Sequence, residues 1–214
     1  MRIPEHIGVI PDGNRRWAKE NGFSKEKGYK YGLKPGLKLF KLCQKYGVRE
    51  ITFYGFTMDN TKRATVQTKA FQKACVQAVE IMSRQDTSIL VVGNQKTPLF
   101  PKKLTKYTPR KKFGSGETKV NFLINYGWQW DIEKLTEVKN FKRNNVLDYL
   151  NSSEISRVDL IIRWGYRRRL SGFLPLQSVY ADIYVVDDYW PNFEKKHFEN
   201  ALKWYDEQDL TYGG

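Results

Sequence analysis

The sequence predicts an α/β fold in a single domain spanning residues 1–214, with a largely parallel central sheet of about six strands covered by helices. Two patterns predict it. Short apolar runs, typical of buried strands, alternate with longer segments whose apolar residues recur at helical spacing. Strands separated by helices favour parallel pairing with helices on both faces. A length of 214 residues suits one domain, and no repeat or low-complexity linker divides the chain.

The predicted elements follow one another along the chain. The strands cover residues 7–10, 48–56, 88–93, 119–126, 158–163 and 181–186. Helical patterns cover a segment that starts at Trp17 and then residues 35–46, 65–84, 131–138, 145–150 and 193–207. The helix over 35–46 should end at Gly47, because glycine readily adopts the left-handed conformation of a helix C-terminus. Residues 22–31 are predicted to form a polar loop. The basic segment 101–112 is predicted to form a solvated loop or a contact with anionic lipid.

The composition restricts the possible partners. The chain has 37 Lys and Arg against 23 Asp and Glu, a net charge of +14 that attracts nucleic acid, anionic lipid or phosphorylated substrates. Cys43 and Cys75 are isolated in apolar helical patterns, so we expect small buried residues rather than a disulfide or a metal site. With no signal-peptide pattern and no apolar run of ~18 residues, we expect a cytoplasmic protein whose membrane contact is peripheral.

A strand-to-helix turn carries the most informative residues, in His6-Ile-Gly-Val-Ile-Pro-Asp-Gly-Asn-Arg-Arg-Trp17. The turn presents free N–H groups at the start of a helix, which favours an anion. Arg15 and Arg16 add forked cations suited to phosphate. Asp12 would repel phosphate unless a divalent metal lies between them, and Mg²⁺ is the usual one. From the pattern alone, an ordinary capped turn is an equally good interpretation.

Two further clusters follow predicted strand ends. Asn60 and Arg63 come after the second strand and could bind a ligand, although Asp and Asn there also cap the next helix. The exit of the fifth strand carries Arg163, Arg167, Arg168 and Arg169. No acid occurs from residue 161 to residue 180, whereas a surface salt-bridge cluster would intersperse acids. The arginines therefore favour an anion site, most simply one for a diphosphate.

These segments resemble, in family order, the signature motifs of the cis-prenyltransferases, the undecaprenyl diphosphate synthase family. The matching segments are residues 6–17, 56–63, 159–173, and 177–184 followed by 190–193. The resemblance implies the cis-prenyltransferase fold and a homodimer. It also implies transfer of a prenyl group from an allylic prenyl diphosphate to a second isoprenoid diphosphate, either isopentenyl or dimethylallyl diphosphate.

The resemblance further implies residue roles. Catalysis falls to Asp12, Asn14 and Asn60, and Mg²⁺ binding to Asp12 with Asp182. Substrate binding falls to Gly13, Arg15, Arg16, Trp17, Tyr29, Arg63, Arg163, Arg167, Arg169 and Ser171. The helix over 65–84 could line a tunnel for the prenyl tail. Its small residues either leave room for that tail or serve close helix packing, and they are Ala70, Ala74, Cys75 and Ala78.

The departures from the family pattern concentrate in the acceptor half. The third motif has Trp164, Tyr166, Arg167 and Gly172 where the family has Thr, Gly, Glu and Asn. Tyr29 replaces a histidine, and residues 211–213 lack the arginine of a terminal Arg-x-Gly that reaches the partner subunit's site. These changes leave open an irregular, head-to-middle coupling with dimethylallyl diphosphate, or release of diphosphate with water capture as in terpene synthases of this fold.

Two alternatives belong to other classes of protein. A non-catalytic partner subunit typically loses the Asp-Gly-Asn sequence and keeps the terminal Arg-x-Gly, the reverse of this chain. A nucleic-acid binder would account for the charge, but the sequence has no recognised binding motif, so we expect no nucleic-acid partner. Product length and stereochemistry stay open.

Overall fold

The computed structural model describes residues 1–62, 64–139 and 142–209. Its centre is a seven-stranded sheet of order β4-β3-β5-β2-β1-β6-β7. The strands are β1 His6–Ile10, β2 Glu50–Tyr54, β3 Thr87–Val92, β4 Lys111–Phe113, β5 Lys119–Leu123, β6 Leu160–Trp164 and β7 Asp182–Val186. All neighbours pair in parallel except β3 and β4, which are antiparallel. The predicted α/β class and largely parallel sheet are confirmed.

The α-helices pack around this sheet. They are α1 Asn14–Glu20, α2 Gly28–Tyr31, α3 Leu33–Tyr46, α4 Thr65–Met82, α5 Trp128–Glu133 and α6 Lys195–Asp206. Gly47 ends α3 with φ 81°, and its N–H bonds to the Cys43 carbonyl, as the sequence predicts. Short 3-10 helices cover Lys25–Lys27, Met58–Lys62, Lys102–Tyr107, Lys134–Glu137, Arg143–Tyr149 and Trp190–Asn192.

Successive side chains of the five inner strands are buried on opposite faces of the sheet, which builds two apolar layers. In β1, Ile7 and Val9 join the larger layer, and Ile10 joins the smaller one. The larger layer includes residues of α3, α4 and α6, so helices cover that face. Cys43 and Cys75 are free and buried, as expected. Burial raises the pKa of the Cys75 thiol to about 12.

Two local predictions are wrong. Segment 101–112 is not a solvated loop, because it forms the 3-10 helix Lys102–Tyr107 and most of β4. Segment 22–31 contains a 3-10 turn and α2 rather than only loop. The short helix predicted over 145–150 falls within the 3-10 helix Arg143–Tyr149, which is kinked at Asn145.

Candidate active site

The first and third sequence motifs meet where β1 and β6 end. Ile10 of β1 is in register with Arg163 of the parallel strand β6, so the segments that follow the two strands leave the sheet at the same edge. Arg163 Nη2 donates a hydrogen bond to Asp12 Oδ2, with 2.9 Å between the nitrogen and the oxygen. The Arg163 side chain is 3% exposed and that of Asp12 is 36% exposed. The turn after β1 therefore places a carboxylate over a buried cation.

Arg163 is held from several directions. Its Nη1 donates to Ser171 Oγ at 3.0 Å and to the backbone carbonyl of Arg169. Burial lowers the pKa of the Arg163 guanidinium, and the Asp12 carboxylate opposes that shift. An arginine stays protonated despite such a shift. The third motif thus presents a fixed positive charge to the cleft.

Arg16 joins the same group from helix α1. Its Nη2 donates to the Gly165 carbonyl at 2.8 Å and lies 3.4 Å from Asp12 Oδ1. Gly165 has φ +89°, and a Cβ there would lie 2.7 Å from Arg16 Nη2 and 3.0 Å from the backbone carbon of Asp12. A glycine is therefore required where the two turns touch.

A cleft of about 670 Å³ opens over these residues. Most of the predicted site residues line it. They are Asp12, Gly13, Asn14, Arg15, Arg16, Tyr29, Asn60, Arg163, Arg167, Arg169 and Ser171. The structure thus brings together the first three motifs. Arg63 lies outside the described residues, as do residues 211–213.

The described lining of the cleft is strongly cationic. Seven cationic side chains face two acidic ones, Asp12 and Asp59, and the cations are Arg15, Arg16, Lys19, Lys25, Arg163, Arg167 and Arg169. Sequence reasoning missed Lys19 and Lys25. Lys19 lies one helical turn after Arg15 and Arg16, a signal that could have found it. Such a lining suits a ligand that carries several negative charges.

Asn14 and Asn60 line the cleft, and each has a buried side-chain oxygen that accepts no hydrogen bond from the described residues. Asn14 Nδ2 donates to the Pro11 carbonyl at 2.8 Å, and Asn60 Nδ2 donates to Thr57 Oγ1. The Oδ1 atom of each amide is buried without a hydrogen bond. A buried acceptor left unpaired costs free energy, so these atoms require a donor from water or ligand.

The structure does not place Asp182 close to Asp12. Asp182 is the first residue of β7 and is in register with Leu160 of β6. Arg163, which contacts Asp12, is in register with Val185, three residues further along β7. At ~3.3 Å per residue the separation along the strand is roughly 10 Å. Magnesium–oxygen bonds are only about 2.1 Å long, so the two carboxylates cannot share an ion. Within one chain, Asp12 and Asp182 therefore do not form the predicted metal pair, because β7 begins rather than ends at Asp182.

Trp17 also does not line the cleft. Its ring contacts Tyr31 at 4.6 Å and Phe23 at 5.9 Å between centroids, and its Nε1 donates to Asn192 Oδ1 at 2.7 Å. These contacts direct the indole away from the arginines, although Trp17 is one residue from Arg16. Arg168 likewise turns outward, where it pairs with Asp187 at 3.1 Å.

A second, apolar cavity of about 80 Å³ adjoins the cleft, between helices α3 and α4 and the sheet. Tyr29, Tyr54 and Phe71 line both spaces. Sequence reasoning missed Tyr54 and Phe71. Of the small residues of α4 predicted to leave room, Ala74, Cys75 and Ala78 line the cavity and Ala70 does not. The site therefore combines an anion-binding cleft with an apolar recess.

The described residues contain no group of three or more His, Cys, Asp or Glu side chains arranged to hold a metal. Asp12 and Asp59 are the carboxylates that line the described part of the cleft. A metal here would need further oxygens from its ligand. In the described part of the chain, no helix has the length and apolarity to cross a membrane.

Comparisons with known proteins agree with this geometry. A family model described as putative undecaprenyl diphosphate synthase matches residues 10–213. An isoprenyl transferase of Leptospira interrogans is 31% identical over 99% of this chain and 95% of its own length. A ditrans,polycis-undecaprenyl-diphosphate synthase of Buchnera aphidicola, named as farnesyl-diphosphate specific, is 27% identical over 98% of this chain and 91% of its length.

Two solved structures share the fold. The lavandulyl diphosphate synthase of Lavandula x intermedia, in complex with dimethylallyl diphosphate, gives a TM-score of 0.84 at 18% identity, with 99% of this chain and 98% of that chain covered. A probable undecaprenyl diphosphate synthase of Campylobacter jejuni gives 0.75 at 22% identity, with both chains fully covered. The chain therefore belongs to the undecaprenyl diphosphate synthase family of cis-prenyltransferases and is an enzyme that condenses prenyl diphosphates.

Proposed function

We propose that this enzyme condenses an allylic prenyl diphosphate with a second isoprenoid diphosphate, isopentenyl or dimethylallyl, in a Mg²⁺-dependent reaction. The observation that carries the proposal is the 2.9 Å contact between Asp12 and Arg163, which joins two anion-binding segments in one cleft. Seven cationic side chains line the described part of that cleft. Two diphosphates bound side by side would match this charge.

The two halves of the cleft have different tasks. Arg15 and Arg16, beside Asp12, hold the allylic diphosphate that leaves, because fixed cations stabilise charge that develops on a leaving group. Arg163 and Ser171 anchor the acceptor's diphosphate, with Arg169 beside them. The contacts of Arg163 to Asp12 and Ser171 fix its guanidinium, so the acceptor is oriented rather than merely attracted. The amides of Asn14 and Asn60 assist at the reacting end.

The donor set fits Mg²⁺ bound together with substrate. This ion usually takes one or two carboxylates plus substrate phosphates and keeps several waters. Asp12 offers a partly exposed carboxylate at the cleft, and its neighbours Arg16 and Arg163 hold phosphate close by. When bound, the ion supplies charge neutralisation on the departing diphosphate. Asp12 is therefore the residue we assign to it.

The reaction exchanges one carbon–oxygen bond for one carbon–carbon bond. The allylic C–O bond breaks and diphosphate leaves with the electron pair. The acceptor's double bond then attacks the allylic carbon, and the acceptor loses a proton. The protein must hold both diphosphates and keep water from the allylic cation. The apolar recess beside the cleft suits that second task, since Phe71 and Tyr54 line both spaces.

Irregular coupling, in which dimethylallyl diphosphate is also the acceptor, is the second candidate. Arg167 lines the cleft in the acceptor half, at a position where the family motif has an acid. In addition, the solved lavandulyl diphosphate synthase is similar in fold and was crystallised with dimethylallyl diphosphate. The added positive charge would orient an acceptor differently from isopentenyl diphosphate.

The experiment that tests the function uses purified protein with Mg²⁺. Dimethylallyl, geranyl and farnesyl diphosphates are each supplied with and without isopentenyl diphosphate, and products are identified by mass spectrometry and NMR. Condensation that requires isopentenyl diphosphate supports the regular reaction. A product from dimethylallyl diphosphate alone supports the irregular one, and a prenyl alcohol as the main product supports water capture. Absence of any product would contradict the proposal.

We also propose a homodimer that forms along β7. This strand is an edge of the sheet, and unpaired edges are usually covered. Ile183 on β7 is 40% exposed, and Val179 just before it is 58% exposed. Sedimentation of the wild type should give a dimer, and Ile183→Lys should give a monomer. A monomeric wild type would contradict this assignment.

For membrane contact, we propose the segment from Lys102 to Lys112. Leu104 and Tyr107 are buried and anchor the 3-10 helix, which leaves its lysines exposed. Arg110 is not available for lipid, because it bonds to the Ser88 carbonyl and to Asn121. Vesicles with anionic lipid should bind the protein at low salt and release it at high salt. Equal binding to neutral vesicles would contradict an electrostatic contact.

A further inference from the structure

The segment that follows β7 contacts both turns of the site from outside the cleft. The carbonyl of Asp188 accepts a hydrogen bond from the Gly165 N–H at 2.7 Å, and the Trp190 N–H donates to the Asp12 carbonyl at 3.0 Å. Tyr189 lies between these two residues in the chain, and it is half-buried. Residues 188–190 do not line the described part of the cleft. They therefore connect the two anion-binding turns without occupying the space of a substrate.

The Tyr189 side chain packs along the face of α1 that carries Arg16. A Cβ at Gly13 would lie 2.5 Å from Tyr189 Cδ1, so the ring rests directly on the backbone before the helix. The guanidinium carbon of Arg16 is 5.2 Å from the ring centroid, within the range of a cation–π contact. The Tyr189 hydroxyl donates to Glu20 Oε1 at 2.5 Å. Positions 13, 16 and 20 recur at helical spacing, so one side chain contacts this face along its length.

The position of the Arg16 guanidinium depends on this ring. Its Nη2 donates to the Gly165 carbonyl and lies beside Asp12 Oδ1, and the Tyr189 ring covers the same group. The Arg16 side chain is 35% exposed, so without the ring it would gain rotamer freedom. Arg15 has a different support, because its Nη1 donates to Gln67 Oε1 on α4 at 3.1 Å. Of these two arginines, Arg16 is therefore the one that Tyr189 holds.

Tyr166 of the third motif extends the contact. Its ring packs edge-on against Tyr189, with centroids 5.3 Å apart and ring planes at 76°. Its backbone has φ +62°, a left-handed conformation that is unfavourable for a side chain of this size. Such a conformation persists where the surroundings hold it, and the Tyr189 ring is one such contact. The two rings thus link the third motif to the face of α1 that carries Arg16.

We propose that Tyr189 is a positioning residue whose ring holds Arg16 at the diphosphate of the allylic substrate. The inference rests on the proposed condensation and adds to it a residue outside the cleft. As the allylic C–O bond breaks, negative charge develops on the departing diphosphate, and a guanidinium already in place stabilises that charge without reorganisation. Tyr189 acts through Arg16 and not on the acceptor, since Arg163 has its own contacts to Asp12 and Ser171.

Three variants separate the ring from the hydroxyl and from general packing. Tyr189→Leu removes the ring, with Tyr189→Met as a second choice if the leucine protein is unstable, and Tyr189→Phe removes only the bond to Glu20. Tyr46→Leu is the matched control. The Tyr46 hydroxyl also donates to a glutamate, Glu199, at 2.6 Å, and its ring also packs edge-on, against Phe198 at 5.6 Å. These residues join α3 to α6 and do not line the described cleft.

The first readout is steady-state kinetics with Mg²⁺, an allylic diphosphate and isopentenyl diphosphate as acceptor. Tyr189→Leu should lower kcat/KM for the allylic substrate about tenfold and keep KM for the acceptor within about twofold of wild type. Tyr189→Phe should restore most of that loss, and Tyr46→Leu should lose stability without a kinetic change. Equal losses in Tyr189→Leu and Tyr189→Phe, or an equal rise in KM for both substrates, would overturn the inference.

The second readout is a double-mutant cycle with Arg16→Ala, which separates positioning from a general structural role. If the ring acts through Arg16, Tyr189→Leu should lower kcat/KM by less than about twofold once the arginine is absent. A structural role of Tyr189 would instead give losses that multiply, and that result would contradict the proposal.

The third readout does not require turnover. An unreactive dimethylallyl thiolodiphosphate is titrated into each protein by calorimetry in the presence of Mg²⁺. Tyr189→Leu should bind it about fivefold more weakly than wild type, and Tyr189→Phe and Tyr46→Leu should match the wild type. Equal affinities in Tyr189→Leu and wild type would overturn the inference. If no protein forms product but this difference is measured, the condensation fails and the positioning role of Tyr189 stands.

Discussion

Arg163 and Asp12, 151 residues apart in the chain, form a 2.9 Å ion pair at the carboxyl ends of neighbouring strands. The arginine is almost fully buried, whereas the carboxylate reaches the cleft. The pair therefore connects the half-site proposed for the leaving diphosphate with the half-site proposed for the acceptor. In the proposed function each partner binds a ligand in its own half, so an anion or cation bound by one would change the charge that faces the other.

Asp12→Asn should lower turnover by about 100-fold or more, because the variant keeps the side-chain shape but loses the charge that holds a metal. The melting temperature should also fall, by more than about 4 °C, because the almost fully buried Arg163 loses the negative charge that it faces. Steady-state kinetics and thermal melts measure both. Asp187→Asn is the matched control, because Asp187 pairs with Arg168 at the surface and should have no kinetic effect. Half or more of wild-type turnover in Asp12→Asn would remove Asp12 from the metal role.

Arg163→Lys should raise KM for the acceptor diphosphate about tenfold or more. Lysine keeps the charge but cannot contact Asp12, Ser171 and the Arg169 carbonyl at once through a planar fork. Arg168→Lys is the control, because that side chain turns away from the cleft. An equal effect of both substitutions would show that charge alone matters at position 163.

Gly165→Ala should reduce both activity and stability, because a Cβ at this position meets Arg16 and Asp12. Gly22→Ala is the comparison. Gly22 has φ +74° with nothing within 4 Å of an added Cβ, so it pays only the backbone cost of about 1–2 kcal/mol. Denaturant melts and kinetics should show lost stability in both variants and lost activity in Gly165→Ala alone. Wild-type activity in Gly165→Ala would contradict the tight contact between the two turns.

Stability should fall as the pH drops below about 6.5, the usual range of histidine. Burial lowers the pKa of His6, although Glu50 and Asp159 oppose the shift. Below this pH the unfolded chain binds a proton at His6 that the folded chain excludes. The contribution of His6 to stability is therefore complete above pH 6.5, and the free energy of unfolding falls below it by at most about 1.4 kcal/mol per pH unit.

Denaturant melts at pH 7.5 and 5.5 test this dependence. His6→Gln should be less stable overall, because His6 Nε2 bonds to Thr52 Oγ1 at 2.8 Å, but it should lose less stability on acidification. His197→Gln is the comparison. His197 is less buried, and its pKa is also lowered by burial, so its contribution should be smaller. An unchanged pH slope in His6→Gln would contradict the assignment.

The sequence predicts the structure well where the residues of a local pattern also contact one another in the fold. Residues 7–10 are apolar throughout and form β1, and the arginines after β6 reach the cleft, because a strand's exit fixes where the next residues go. β4 was not predictable from its pattern, since its lysines face solvent on an edge strand and resemble a loop. Asp182 shows a different limit, because a motif gives residue identity but not the end of the strand on which it lies.

Phe71 and Lys25 could not be found from local pattern at all. Phe71 reads as an ordinary apolar position of α4, and only its stacking on Tyr29 brings it to the cleft. Lys25 lies in a 3-10 turn that the sequence presents as a polar loop. Both depend on how distant segments pack, which no local spacing specifies.

In the proposed function, one chain holds two diphosphates, one on either side of the Asp12–Arg163 pair. Calorimetric titration tests it most directly, with an unreactive allylic thiolodiphosphate added first and isopentenyl diphosphate second, in the presence of Mg²⁺. We predict one equivalent of each per chain, with Arg163→Lys weakening the second and not the first. Competition between the two ligands for a single site per chain would contradict the claim.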